Sequence, residues 1–140
     1  MGEKFLLSHV AISVSSLNNS IDFYKDTFGF KCVKKFYIES LNAKACFLKI
    51  DNSILELFEF GNQEPLPDYR KTLINDLRTI GTKHFALKVD NVEEIYYLLQ
   101  KKNVEFATDI RVGGSGLRYF FIKDPDGILL EIIENEKAIE

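Results

Sequence analysis

The strongest constraint on the fold is an internal repeat with an offset of 75 residues. The segment His9-Val-Ala-Ile-Ser-Val14 is echoed by His84-Phe-Ala-Leu-Lys-Val89, and 84 − 9 = 75. A second pair of segments, Ile-Leu-Glu-Leu-Phe around Glu56 and Leu-Leu-Glu-Ile-Ile around Glu131, has the same offset, since 131 − 56 = 75. Each segment has the length and the apolar pattern of a strand. The chain is therefore expected to contain two halves of one topology.

Both halves are predicted to run strand, helix, strand, strand, strand, so the predicted fold class is α+β with two paired βαβββ modules. The first module covers about residues 5–60, with strands predicted at 5–14, 30–37, 43–50 and 53–60 and a helix between Ser15 and Gly29. Residues 61–81 form a connector with a helical stretch at 68–79. The second module covers about residues 82–134, with strands predicted at 84–89, 104–112, 117–123 and 128–134 and a helix from Asn91 to Lys102. Neither module buries its sheet face alone, so the two must pair within one chain or between chains.

Length and charge are typical of a small soluble domain. A chain of 140 residues suffices for a single domain, 1–140, with a real core. The net charge of −3 offers no basic field for nucleic acid and no polybasic signal for a membrane. The opening residues hold too short an apolar run for a signal peptide, so cytoplasmic residence is expected. Cys32 and Cys46 lack the spacing of metal ligands and are expected to be buried free thiols. If residues 30–50 form a hairpin, the two thiols face each other across it.

The two histidines of the chain, His9 and His84, each precede a glutamate by 47 residues. If the first and last strands of each module are neighbours, each module presents one imidazole and one carboxylate on one sheet face. Two imidazole nitrogens and two carboxylate oxygens suit Ni²⁺, Co²⁺, Zn²⁺, Mn²⁺ or Fe²⁺ and leave positions for water or substrate. His9, Glu56, His84 and Glu131 are therefore the candidate metal ligands. The alternative is that both histidines are satisfied in the interior and both glutamates lie on solvated faces, although a carboxylate in an apolar strand needs a partner.

These segments resemble the vicinal oxygen chelate superfamily, also called the glyoxalase, bleomycin-resistance and extradiol-dioxygenase fold. The resemblance covers nearly the whole chain, because it also includes residues 20–24, 28–30 and 121–127. It implies two paired βαβββ modules in a curved mixed sheet and a divalent metal that binds neighbouring oxygens of a small-molecule substrate. Many short members form homodimers in which each site takes one module from each chain, and the connector at 61–81 is long enough for such an exchange. A homodimer is therefore expected.

Within that family, the ligand order His, Glu, His, Glu is most similar to glyoxalase I. The resemblance implies a lyase or isomerase that converts the hemithioacetal of a 2-oxoaldehyde and a thiol into a 2-hydroxyacyl thioester. One divalent ion, preferably Ni, Co or Zn, with Mn or Fe also compatible, would stabilise an enediolate as a Lewis acid. Glu131 is expected to move the proton between adjacent carbons, and Glu56 is the second carboxylate of the catalytic site.

Two positions depart from the glyoxalase I pattern. Enzymes of that type that use glutathione usually carry an arginine four residues after the first histidine and an asparagine four residues after the first glutamate. This chain has Ser13 and Phe60 at those positions, so glutathione is not implied as the thiol. Lys88, Arg111 and Arg118 are candidates for holding a different anion, and the alternative for each is a solvated surface charge.

Other functions within the family compete with this interpretation. A thioester epimerase needs the same enolate stabilisation, but such members usually have glutamine at the position of Glu56. An extradiol dioxygenase or a fosfomycin-type resistance enzyme uses three protein ligands, so a fourth ligand would occupy a position that substrate requires. A metal-free protein that binds small molecules would generally lack these ligands, and this chain has all four.

Overall fold

The computed structural model describes residues 4–136, and the chain divides between Glu64 and Pro65 into two compact units. Each unit carries one sheet that mixes parallel and antiparallel strand pairs, with helices in both units. This arrangement confirms the α+β class predicted from the repeat.

The first unit contains four strands and one α-helix. In chain order they are β1 (Val10–Ser13), α1 (Leu17–Phe28), β2 (Lys31–Ile38), β3 (Ala43–Ile50) and β4 (Ser53–Phe60), with a short 3-10 turn at Glu39–Leu41. The strands lie in the order β1-β4-β3-β2, and β1 runs parallel to β4 whereas the other pairs are antiparallel.

Helix α1 begins and ends where its capping residues predict. The Ser16 hydroxyl accepts a hydrogen bond from the Asn19 N–H, and Gly29 ends the helix in the left-handed conformation at φ 86°. The helix buries Leu17, Ile21 and Tyr24 in the core of this unit. Because side chains alternate along a strand, the buried Leu55 and Leu57 of β4 share one sheet face, and Glu56 lies on the other.

The second unit repeats this plan after the connector. Its elements are α2 (Leu73–Arg78), β5 (Phe85–Val89), α3 (Val92–Lys101), β6 (Glu105–Phe106), β7 (Arg111–Val112), β8 (Arg118–Lys123) and β9 (Leu129–Glu134), with a 3-10 turn at Asp68–Arg70. The strands lie in the order β5-β9-β8-β6, β7 also pairs with β8, and β5 runs parallel to β9. The Asn91 side chain caps α3 by accepting from the Glu94 N–H. The Asp124 carboxylate accepts from the N–H groups of Asp126 and Ile128, which closes the predicted turn between β8 and β9.

The first predicted strand is shorter than expected. Residues 5–14 were expected to be extended, but β1 starts only at Val10 and pairs with β4 at a constant difference of 45, from Val10 with Leu55 to Ser13 with Phe58. The same register would place Phe5 beside residue 50, and the chain turns between β3 and β4 at residues 51–52. With no partner strand there, Phe5, Leu6 and Leu7 remain 86%, 78% and 90% exposed.

The strand predicted over residues 104–112 is wrong as one continuous element. It is broken into β6 and β7, and the register against β8 shifts by two, since 105 + 123 = 228 but 111 + 119 = 230. Thr108 causes the break, because its hydroxyl accepts the Phe121 N–H that a backbone carbonyl would take in a regular ladder. The Phe121 carbonyl in turn accepts from the N–H groups of both Ala107 and Thr108.

The helical stretch predicted at 68–79 divides into the 3-10 turn at Asp68–Arg70 and α2. Asp76 of α2 is only 2% exposed and pairs with Arg70 at 3.2 Å and with Lys83 at 3.8 Å. These two cations compensate the buried carboxylate and fix α2 to the start of β5. No helix within residues 4–136 is long and apolar enough to cross a membrane.

Both cysteines are free, but only Cys46 is buried, so the expectation of burial is wrong for Cys32. Their thiols contact each other across the β2–β3 hairpin as predicted. Burial raises the pKa of the Cys46 thiol from 9.0 to about 12, and the neighbouring Cys32 adds to the rise. Cys46 therefore behaves as a core residue and not as a nucleophile.

Candidate metal centre

The sheet register of the first unit brings His9 and Glu56 together. Ala11 of β1 pairs with Glu56 of β4, and His9 lies two residues before Ala11 on the same side of the chain. The His9 Nε2 atom is 3.2 Å from the Glu56 Oε1 atom, with side chains 37% and 13% exposed. The sequence expectation that the first and last strands of this half are neighbours is confirmed.

The second unit repeats this geometry with its own pair. Ala86 of β5 pairs with Glu131 of β9, and His84 lies two residues before Ala86. The His84 Nε2 atom is 3.4 Å from the Glu131 Oε1 atom, and the side chains are 21% and 17% exposed. Residues that are 75 positions apart in the sequence therefore occupy the same place in the strand register of the two sheets.

The donor spacing in each pair fits two neighbouring ligands of one metal ion. Nitrogen and oxygen donors at about 2.1 Å from a metal are roughly 3.0 Å apart at a 90° angle and roughly 3.4 Å apart at a tetrahedral angle. The observed separations of 3.2 and 3.4 Å fall within this range. An imidazole nitrogen beside a carboxylate oxygen is also a donor set that Ni²⁺, Co²⁺ and Zn²⁺ accept.

The structure places the four predicted ligands as two pairs. Within residues 4–136, no group of three or more His, Cys, Asp or Glu side chains is close enough to hold a metal ion. Each unit by itself therefore offers two protein donors, one imidazole and one carboxylate.

The two histidines differ at their second ring nitrogen. The His9 Nδ1 atom is 2.9 Å from the Ser8 hydroxyl, whereas the His84 Nδ1 atom is buried with no hydrogen-bond partner among the described residues. The His84 ring contacts the Phe121 ring edge-on, with centroids 4.8 Å apart. A buried polar atom without a partner costs free energy, and such atoms are uncommon in folded proteins.

The His84–Glu131 pair opens into a cavity of about 300 Å³ in the second unit. Most of its lining residues are apolar, and a glycine-rich loop between β7 and β8 also lines it. The lining residues are Leu73, Leu77, His84, Gly113, Gly114, Ser115, Leu117, Tyr119, Phe121, Glu131 and Ile133. The sequence reasoning missed the contributions of α2 and of this loop, although the run Gly113-Gly-Ser-Gly116 was a visible signal.

The three cations considered for substrate binding each have acidic partners. Lys88 pairs with Glu136, Arg111 with Asp109, and Arg118 with both Glu93 and Glu134. The hydrogen bond that the Arg118 guanidinium donates to the Glu134 carboxylate raises the pKa of Arg118 above its usual value. These contacts favour the surface role for all three residues.

Comparison with known proteins identifies the family. The sequence model of the Glyoxalase/Bleomycin resistance protein/Dioxygenase superfamily matches residues 6–132. The chain belongs to this superfamily. The superfamily match spans both units and all four candidate ligands.

Individual relatives within this superfamily differ in activity. The chain is 25% identical over 130 residues to the mitochondrial methylmalonyl-CoA epimerase of Homo sapiens, covering 90% of this chain and 72% of the relative. It is 27% identical over 150 residues to the lactoylglutathione lyase of Schizosaccharomyces pombe, covering 96% of this chain but only 49% of that protein. Among solved structures, a glyoxalase family protein from Enterococcus faecalis superimposes with a TM-score of 0.78 at 28% identity, covering 92% of this chain and 97% of that chain.

Proposed function

We propose that the protein is a metal-dependent enzyme of the glyoxalase I type, a lyase or isomerase that converts a hemithioacetal into a 2-hydroxyacyl thioester. His9, Glu56, His84 and Glu131 would together hold one divalent ion, with Ni, Co or Zn preferred. The observation that carries the proposal is the repeated His–Glu pair, whose donor spacings of 3.2 and 3.4 Å suit adjacent metal ligands. The cavity beside the second pair supports it, because a reacting group can reach Glu131 there.

In this proposal the residues of the chain divide the chemical work. A divalent ion held by these residues would supply Lewis acidity, which favours enediolate character in the substrate. Glu131 takes the proton from the hemithioacetal carbon and returns a proton to the adjacent carbon, since its carboxylate borders the cavity. Leu73, Leu77 and Leu117 give this cavity an apolar wall, which limits water around the reacting carbons.

Each unit offers two donors, so a four-ligand site requires one pair from each of two units. We propose a homodimer in which each site combines the His9–Glu56 pair of one chain with the His84–Glu131 pair of its partner. Size-exclusion chromatography with light scattering is expected to give twice the mass of 16.1 kDa. A monomer at all concentrations would contradict the dimer but leave assembly of the site within one chain.

A thioester epimerase is the second candidate, favoured by the match to the human epimerase over 72% of its length. Both reactions move a proton on a carbon next to a carbonyl group, so the same ligands and the same base would serve either. Glu56 favours the glyoxalase interpretation, because epimerases of this family usually carry glutamine at that position.

The first experiment measures metal content by mass spectrometry on untagged protein. The wild type is expected to hold near-stoichiometric Ni, Co or Zn, and the His9→Ala/Glu131→Ala double variant is expected to lose it. Ser53→Ala, at an exposed position at the start of β4, is the control and should retain the metal. Failure of the wild type to bind metal even after reconstitution would overturn the proposal, and predominant iron would favour a dioxygenase.

The Glu56→Gln variant then separates the two candidate reactions. For a glyoxalase, loss of this carboxylate should reduce hemithioacetal turnover by more than tenfold, about 1.4 kcal/mol of activation free energy. For an epimerase, the variant should retain or gain proton exchange next to a thioester, measured by deuterium incorporation from solvent. Wild-type protein that exchanges thioester protons but turns over no hemithioacetal, with any thiol tested, would establish the epimerase.

A further inference from the structure

One row of residues across each sheet differs in charge between the two units. In the first unit, Ile54 of β4 pairs with Lys49 of β3, and Lys49 pairs with Lys31 of β2. In the second unit, the register pairs Leu129 of β9 with Lys123 of β8, and Lys123 with Glu105 of β6. Because 129 − 54 = 75, the two rows occupy the same place in the repeat.

The two rows have opposite electrostatic consequences. Lys123 and Glu105 form an ion pair at 3.9 Å, so the row in the second unit is compensated. Lys31 and Lys49 are like charges directly opposite each other, an arrangement that destabilises an antiparallel strand pair. Neither lysine forms an ion pair with any residue between 4 and 136.

The two lysines also line a common surface cavity of about 240 Å³. Its other lining residues are Gly29, Val33, Ile50 and Asp51. Asp51 is the acidic residue of this lining and pairs with neither lysine. The chain has a net charge of −3, so two lysines without ion pairs in the lining of one cavity are not a consequence of overall composition.

The lysine row lies on the sheet face that carries the metal-binding pair. Phe47 of β3 pairs with Glu56, and Lys49 lies two residues further along the same strand, so Lys49 and Glu56 share a face. Lys34 of β2 pairs with Phe47 and adds a third lysine to this face, also without an ion-pair partner in the described part of the chain. From ideal strand spacing, Lys49 and Lys31 lie roughly 8 and 12 Å from Glu56 between Cα atoms.

We propose that Lys31, Lys34 and Lys49 form a binding site for the carboxylate or phosphate groups of the substrate's thiol carrier. This inference rests on the proposed function, because it takes the His9–Glu56 pair as one side of the reaction centre. Lys31 and Lys49 lie along the sheet from Glu56, so the site suits a carrier whose anionic groups lie away from the reacting carbons. Glyoxalase I enzymes that use glutathione usually carry an arginine and an asparagine where this chain has Ser13 and Phe60. The three lysines would provide the carrier with polar contacts in their place.

Equilibrium binding of unreactive thiol derivatives tests the site separately from catalysis. The probes are S-methylglutathione, which carries carboxylates, S-methyl coenzyme A, which carries phosphates, and S-methyl-N-acetylcysteamine, which is uncharged. Each is titrated calorimetrically into wild type, Lys31→Glu and Lys35→Glu at low and high salt. Lys31→Glu gives the first unit the charge pattern of the second, whereas Lys35 lies on the opposite sheet face beside Cys46 and receives the same change in charge.

At least one anionic probe should bind the wild type, with an affinity that falls as salt is added. Lys31→Glu should weaken that binding by about tenfold or more, because it removes one cation and pairs with the Lys49 ammonium. Lys35→Glu should bind like the wild type, and the uncharged probe should bind all three proteins alike. Preference for S-methylglutathione or for S-methyl coenzyme A would identify the carrier as a carboxylate or a phosphate type.

Two results would overturn the inference: no binding of either anionic probe to the wild type, or equal weakening by Lys31→Glu and Lys35→Glu. Metal content is measured on the same samples. Protein that holds metal but ignores the anionic probes would reject only the lysine site. Protein that binds an anionic probe through Lys31 but takes up no metal would reject only the proposed reaction.

Discussion

The two units place a histidine beside a glutamate by the same sheet register but surround the pair differently. In the first unit, the imidazole is held by a hydroxyl, since Ser8 contacts the His9 Nδ1 atom at 2.9 Å. In the second unit, the His84 Nδ1 atom is buried without a partner among residues 4–136, and the pair borders a cavity with an apolar wall. The backbone register sets the donor positions, and the neighbouring side chains decide what each pair can contact.

The difference begins with the residue before each histidine. Position 8 is a serine, whose short side chain reaches the adjacent imidazole, whereas position 83 is a lysine. The Lys83 ammonium is bound to the carbonyl oxygens of Asp76 and Thr79 at the end of α2. The second unit therefore uses that position to attach the connector, which supplies part of the cavity wall.

The largest expected effect comes from removing the buried carboxylate that joins α2 to Arg70 and Lys83. Asp76→Ala removes a carboxylate that is 2% exposed, so Arg70 and Lys83 both lose an ion pair and the free energy of unfolding should fall by about 3 kcal/mol. Urea unfolding measures this loss. The control is Asp68→Ala, since Asp68 is 97% exposed and its pair with Lys71 lies at the surface. An equal loss in both variants would show that the burial of Asp76 has no special role.

The sequence was sufficient to predict the features that depend on local patterns, namely which sheet face a strand residue occupies and where a helix begins and ends. The alternation around Glu56 and Glu131 placed each glutamate on the sheet face opposite its two strand neighbours, and those neighbours are buried: Leu55 and Leu57 in the first unit, Leu130 and Ile132 in the second. Ser16 and Gly29 defined α1 because capping depends on residues close in sequence.

Features that depend on contacts distant in sequence were not predictable. The break between β6 and β7 depends on the Thr108 hydroxyl meeting the Phe121 N–H, thirteen residues away. The end of pairing before Val10 depends on where β4 begins. The cavity wall depends on the tertiary position of α2, which the sequence indicated only as a helical stretch of the connector.

A smaller effect is expected from the edge strand that differs between the units. In the first unit β2 is one strand of eight residues. In the second unit the corresponding strand is interrupted, and the Phe121 N–H donates to the Thr108 hydroxyl instead of to a backbone carbonyl. Thr108→Val keeps the shape but leaves the buried Phe121 N–H without an acceptor, so the free energy of unfolding should fall by about 2 kcal/mol. Thermal unfolding checks this, with Thr79→Val as the control because its hydroxyl bond to the Asn75 carbonyl is exposed. An unchanged free energy of unfolding in Thr108→Val would show that a backbone carbonyl accepts the Phe121 N–H when the hydroxyl is absent.

The serine beside His9 provides a test of the metal site itself. Ser8→Ala removes the partner of the His9 Nδ1 atom and should weaken metal affinity by about tenfold, because such partners orient a ligating imidazole. Competition titration with Zn²⁺ measures the change, and Ser53→Ala is the matched control. After the change, both histidines would lack a hydroxyl partner, so the two units would become more alike. An unchanged affinity would show that the sheet register alone orients the first imidazole.

The last test concerns Cys46, whose effect on stability is confined to alkaline pH because burial raises the pKa of its thiol from 9.0 to about 12. Iodoacetamide at neutral pH should label the exposed Cys32 and spare Cys46 in the folded protein, as peptide mass spectrometry would show. Below pH 9 the thiol is protonated in both folded and unfolded chains, so it contributes no pH dependence to stability. Between pH 9 and 12 the unfolded chain releases a proton that the folded chain keeps, so stability should fall as pH rises. Cys46→Ala should show a shallower decline in that window, and identical slopes for the two proteins would contradict the burial of the thiol.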